Sequence, residues 1–442
     1  MRLSRIGAMS LAGLFIVSAC TNGSGSSPAA SRAPSAAPSS ASTSMAPESM
    51  APESMAPESM APNSMAPMSP GASTGAGMTT DSPAANLRVD LNYLFGEHLI
   101  LAAKATGAAL GARTDEFNAY ADLLNKNGTD IGAAIGGLYG QDAQDKFNAI
   151  WSAHNGFFVD YTTAVAQKDD AAKQKSVDNL TTVYVPQFSQ FLSDATGLPL
   201  DAVTALVTEH VTTTAAVVDA QASEDWAATY KAIRTAYAHM SMIGDALAPA
   251  IAAKNNLEGD ASTPAVGFRT ALDQLLQEHL FLATFATSAA IGGRTDEFTA
   301  AADALNANGT DIGAAIGKVY GTDAQDKFNS IWSAHNGFFV DYTTGVATKD
   351  QAKKDKAVSD LTTIYVPQFA DFLAGATGLP QQDLETLTTE HVTTTAAVVD
   401  AQGSGDAAAA AQADRTAAMH MRMIGDPLAA AIVAAMPDKF AQ

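Results

Sequence analysis

Residues 150–163 read Ile-Trp-Ser-Ala-His-Asn-Gly-Phe-Phe-Val-Asp-Tyr-Thr-Thr, and the same letters return unchanged as residues 331–344. A recurrence of that length makes the chain a duplicated unit, and each copy has to fold by the same local rules. The offset of 181 residues aligns 87–254 with 268–435 without a gap. It carries His98 to His279, His154 to His335, His210 to His391 and His239 to His420, which together are all 8 histidines of the chain. An ionisable residue type confined to four matched positions is a candidate for a site in each copy.

Each copy is rich in alanine, its apolar residues recur at helical spacing, and alternation of the strand type is scarce, so the fold class is all-α. His98, His154 and His210 stand 56 residues apart in both intervals, which predicts three αα-hairpins of similar length and about six helices per copy. Turn signals fall inside the hairpins at Gly111–Glu116, with Thr114 as a helix cap, at Gln167–Asp170 and at Ala222–Asp225. Others fall between hairpins, at Tyr139–Asp142 and Thr196–Asp201. The three spaced histidines then lie on the first, third and fifth helices, which run parallel.

Helical periodicity turns those imidazoles inward. Leu91, Leu94, Phe95, His98, Leu101 and Ala105 make one stripe, as do Phe147, Ile150, Trp151, His154, Phe158 and Tyr161. Val203, Leu206, Val207, His210, Thr214 and Val217 make a third, interrupted by one hydroxyl. Counting at ~1.5 Å per residue brings His239 back to the level of His210. The same count from His98 reaches Asn127-Gly128, and from His154 it reaches Tyr184-Val185-Pro186. Both are helix-breaking spots at the depth where the imidazoles converge.

Buried polar groups without partners are costly, and a transition metal satisfies imidazole nitrogens directly. The candidate ligands are His98, His154, His210, His239 and Met242, with His279, His335, His391, His420 and Met423 in the second copy. A thioether three residues after His239 favours copper, while zinc would accept the imidazoles alone. The sixth helix has diverged, with Trp226, Tyr230, Ile233 and Tyr237 replaced by Ala407, Ala411, Asp414 and Ala418, yet Arg234, His239, Met240 and Met242 persist as Arg415, His420, Met421 and Met423. Glu97 and Glu209 directly precede their histidines and so point about 100° away from them, which excludes the Glu-x-x-His pattern of ferritin-like di-iron sites. No nucleophile elbow, Walker loop, dinucleotide loop or paired-cysteine site is present. Asp160, Tyr161 and Arg234 read as partners in interhelical hydrogen bonds.

Glu97-His98, Leu138-Tyr139-Gly140, Trp151-x-x-His154 with Gly156–Tyr161, and Ala238-His239-Met240 together resemble a helical domain of exported bacterial proteins often labelled copper amine oxidase-like. The resemblance covers both copies and implies no established reaction. An amine oxidase of the topaquinone type needs a β-rich catalytic domain, for which this pattern leaves no place.

The N-terminal residues bound the setting. Arg2 and Arg5 precede an apolar run, Leu11–Val17, too short to span a bilayer. Val17-Ser18-Ala19-Cys20 resembles the lipobox of bacterial lipoproteins, which implies cleavage before Cys20 and acylation of that residue. Cys20 is the only cysteine, so no disulfide within the chain is possible. The expected organisation is a signal peptide over 1–19, a disordered Ser/Ala/Pro/Met-rich tether over 20–86, domain 1 over 87–255, a linker over 256–267 and domain 2 over 268–442. Within the tether Met45, Met50, Met55, Met60, Met65 and Met68 recur beside proline, an extended spacer whose thioethers are soft donors.

A net charge of −21 opposes nucleic acid and anionic membrane as partners. The expectation is a non-enzymatic binding protein, lipid-anchored on the extracytoplasmic face of the cell membrane, holding copper or zinc in each helical domain. A metal-free structural or adhesive envelope module is the alternative, and a haem or copper redox protein the second.

Overall fold

Proline at the first helical position, Ser82 accepting from the backbone N–H of Ala85 and a long apolar run start the first helix, and Pro264 with Thr263 repeats the device at the start of the second copy. The computed structural model describes residues 79–441, so Cys20, the signal segment and the tether up to residue 78 lie outside the described residues. The first copy comprises α1 (Pro83–Leu110), α2 (Thr114–Tyr139), α3 (Gln141–Gln167), α4 (Asp170–Asn179), α5 (Val185–Thr196), α6 (Leu200–Ala222) and α7 (Trp226–Lys254). The second comprises α8 (Pro264–Ile291), α9 (Thr295–Tyr320), α10 (Thr322–Thr348), α11 (Gln351–Asp360), α12 (Val366–Thr377), α13 (Gln381–Ser404) and α14 (Ala407–Ala435), followed by a 3₁₀ turn, Pro437–Lys439. The fold is all-α, and the described residues contain no strand. None of their helices is long and apolar enough to cross a membrane.

α4 and α5 form one rod, joined by a π-helical turn at Leu180–Tyr184, as α11 and α12 are by Leu361–Tyr365. Each copy therefore has the six rods and three hairpins expected of it. The turns are short and capped: Asp169 and Asp225 accept from the N–H groups of Ala172 and Ala228, and Lys168 takes a left-handed φ of 56°. Thr114 is not the cap of α2. That position belongs to Arg113, whose guanidinium instead holds Glu116 at 2.7 Å.

The π-turns answer to proline. Pro186 has no N–H to return to the preceding turn, and the Val185 N–H reaches five residues back to the Leu180 carbonyl. The rod thus continues past the Tyr184-Val185-Pro186 spot with one residue inserted. The other spot expected to break a helix, Asn127-Gly128, lies inside an unbroken α2. Its residues serve packing: Asn127 donates to Glu97 at 2.8 Å and to the Leu94 carbonyl at 3.0 Å, and a Cβ on Gly128 would lie 2.8 Å from the Trp151 indole.

The two copies share one core. α1 and α8 bury residues around most of their circumference, as helices apolar on all sides must, and they pack on each other as well as on their own copies. α7 packs against α9, and α14 against α2, a reciprocal exchange in which each copy's last helix covers the other's second. Arg415 of α14 forms a bidentate pair with Glu97 at 2.9 and 3.1 Å and reaches Asp130. Arg234 of α7 makes the matching pair with Glu278 at 3.0 and 3.1 Å and reaches Asp311 at 2.7 Å. Charge-assisted forks of this kind fix register between packed helices. They also account for Glu97 and Glu278, whose carboxylates belong to the junction and not to the neighbouring histidines.

Candidate metal centre

Three parallel rods, α1, α3 and α6, each carry one imidazole to the same depth. The ligand nitrogens of His98, His154 and His210 all lie within 4.8 Å of one another, and those of His279, His335 and His391 do the same. All six side chains are buried, none more than 4% exposed. His154 Nε2 and His210 Nε2 face each other at 3.3 Å. An ion bonded to imidazoles at about 2.0–2.1 Å in tetrahedral geometry sets its ligand nitrogens about 3.3 Å apart, so this pair stands at the spacing of a shared ion.

The other ring nitrogens orient the cluster. His154 Nδ1 donates to Asn155 Oδ1 at 3.1 Å, which leaves the lone pair on Nε2, and His335 does the same toward Asn336 at 3.1 Å. Thr214 Oγ1 lies 3.4 Å from His210 Nδ1, and Thr395 Oγ1 3.4 Å from His391 Nδ1. The hydroxyl that interrupts the apolar stripe of α6 is therefore the partner of the histidine one turn before it. Nδ1 of His98 and of His279, and Nε2 of His335, are buried with no hydrogen-bond partner. Orphaned nitrogens of this kind are what an ion would satisfy.

Aromatic side chains wall the cluster. Trp151 packs on His98 with ring centroids 4.6 Å apart, Tyr184 on His154 at 4.4 Å, and Phe158 meets His154 edge-on at 5.3 Å. Tyr184 ends the π-turn, so the inserted residue sets this ring over the imidazole; Tyr365 repeats the contact on His335 at 4.4 Å. Burial, reinforced by the like-charged neighbours, pushes His98, His154 and His279 down to about 3, and His210, His335 and His391 well below the ordinary histidine range. All six are neutral at pH 7 and available as ligands.

Gly309, the counterpart of Gly128, tests how tightly the wall is set. A Cβ there would meet the Trp332 indole at 2.9 Å, so Gly309→Ala is expected to push that ring toward His279 and to lower stability by about 1–3 kcal/mol. Denaturant unfolding followed by tryptophan emission measures both effects.

Four expected ligands are not brought together with the triads. His239 and His420 return to the predicted level, but His239 Nε2 donates to the Leu206 carbonyl at 2.9 Å and His420 Nε2 to that of Leu387 at 3.0 Å. Met242 and Met423 are 55% and 42% exposed. Each lies about 60° around its helix from a histidine already at the margin of the buried face, and that rotation carries the thioether into solvent. The donor set is thus three imidazoles per copy, with no sulfur and no carboxylate. Tyr161 forms the interhelical bond expected of it, donating to Asp219 at 2.9 Å, while Asp160 is exposed. Sequence reasoning missed Asn155 and Tyr184; only the literal repetition of the first and the proline two residues after the second signalled them.

No protein family, curated protein or solved structure matches this chain. Two buried tri-imidazole clusters in a duplicated all-α unit are the features on which a function must rest.

Proposed function

We propose that the chain is a lipid-anchored, extracytoplasmic binding protein that takes one copper ion in each copy, for sequestration or relay. The observation that carries this is the tri-imidazole cluster, repeated in both copies, with nitrogens left unpartnered in a buried aromatic cage. With no carboxylate or thiolate in the set, a divalent ion would bury two uncompensated charges. Copper(I) brings one, and imidazole suits it as a ligand. The lipobox-like residues Val17–Cys20 support the anchor, and the methionines of the tether would act as a low-affinity feeder.

Purified chain is expected to bind two copper ions. His154→Ala combined with His335→Ala is expected to abolish binding, since each triad loses the imidazole between the other two walls. Metal analysis after exhaustive dialysis checks this, and two ions retained by the double variant would sink the assignment. The competing reading, a structural module, draws on the same 3.3 Å contact taken as an N–H···N hydrogen bond between His210 and His154. It predicts that unmodified chain takes up no copper or zinc.

A further inference from the structure

Each copy keeps a fourth buried imidazole, and its environment is that of a cation position. His239 spends Nε2–H on the Leu206 carbonyl, so Nδ1 is the ring nitrogen left to take a cation. That atom is buried without a hydrogen bond, and 3.7 Å away lies Oε2 of Glu209, whose side chain is 59% exposed. A carboxylate facing a basic ring nitrogen is an arrangement that a cation placed between them satisfies. An ion bonding both at about 2.0–2.2 Å spans this gap with a bent angle. The second copy repeats every element: His420 donates to Leu387, its Nδ1 is buried and unpartnered, and Glu390 Oε2 lies 3.8 Å off with its side chain 48% exposed.

The pair also adjoins the triad along α6. Glu209 and His210 are consecutive on α6, one directed to solvent and the other into the triad. In the second copy a surface groove of 680 Å³ is lined by Glu390 and Glu385 of α13, Thr362 of the π-turn, and Val366 and Pro367 of α12. That π-turn ends in Tyr365, the ring stacked on His335. The groove therefore brings an exposed carboxylate beside the turn that carries Tyr365.

We propose that Glu209 with His239, and Glu390 with His420, form loading ports, where a cation loses part of its hydration shell before passing to the triads. This rests on the metal-binding reading above. The test follows transfer of copper(I) from a coloured chelator complex to the full mature chain. Glu209→Gln with Glu390→Gln is expected to slow transfer roughly ten-fold or more while the final affinity stays within about three-fold, because the carboxylates attract the ion without being its ligands at rest. Glu209→Asp with Glu390→Asp is expected to recover part of the rate. Unchanged rates, or affinity falling in step with rate, would overturn the ports. Failure of unmodified chain to take copper at all would overturn the metal-binding reading itself, a different result.

Discussion

Replacing Lys104 with methionine is expected to destabilise the protein by about 3–5 kcal/mol, the cost of stranding one member of a buried ion pair. Lys104 on α1 and Asp414 on α14 are 3% and 0% exposed and meet at 2.7 Å across the junction between the copies. Their remaining capacity is filled: Lys104 donates to Thr284 at 3.0 Å, Tyr120 and Thr284 donate to Asp414 at 3.1 and 2.8 Å, and the ammonium lies 4.5 Å from the Phe285 ring centroid. The duplication supplies an internal control. At the matched positions the chain has Phe285 for Lys104, Ile233 for Asp414, Ala301 for Tyr120 and Ala103 for Thr284, so the same architecture accommodates an apolar version. Lys104→Met with Asp414→Leu is therefore expected to recover most of the loss, leaving about 1–2 kcal/mol for the Tyr120 hydroxyl without a partner, since Thr284 keeps its bond to the Phe281 carbonyl. Urea unfolding of the two single variants and the double variant measures the coupling. A double variant as unstable as the sum of the singles would refute the account.

Acid is expected to destabilise the metal-free protein steeply as pH falls from about 6.5 toward 5. The folded state holds His98, His154 and His279 down to about 3, whereas the unfolded chain protonates them at about 6.5. Below that value the unfolded state takes up protons the folded state refuses. Stability is thus full above pH 6.5 and falls as pH drops toward 3, the reverse of a histidine that gains an acidic partner. At pH 5 the loss is about 2 kcal/mol for each of these three. His210, His335 and His391 shift in the same direction. The six together approach the whole stability of an ordinary domain, about 5–15 kcal/mol. Thermal melts of metal-free protein at pH 7.5, 6 and 5 test this, and a midpoint that stays flat to pH 5 would contradict it. On the proposed metal-binding reading, copper present in excess is expected to raise the midpoint at each pH, because the assembled triads exist only in the folded state.

Much of this was legible from letters alone. The 56-residue spacing placed His98, His154 and His210 on alternate rods, and since helical rise and turn length are nearly constant, equal chain lengths meant equal depth. His239 shows where such counting stops. Depth follows from the number of residues, but orientation at the edge of a face depends on the neighbouring helix, and here the Leu206 carbonyl claimed the ring. Glu97 shows a second limit. Its partner Arg415 lies in the other copy, a pairing that helical periodicity within one copy cannot reveal. The π-turn is a third case: proline marked the place, but that the rod absorbs an extra residue there instead of breaking, and so sets Tyr184 over His154, is a tertiary outcome that a single spot in the sequence does not show.

The mismatch between the two halves at the Lys104–Asp414 contact has a consequence for self-association. Two first copies packed in the same reciprocal manner would set Lys104 against Ile233, and two second copies would set Asp414 against Phe285. Either arrangement strands a charge in an apolar wall, and only the mixed arrangement leaves none. Drift after duplication has thus made the halves mutually exclusive hosts, so that a proteolytic fragment carrying one of them has no stable twin to join and must find its complement.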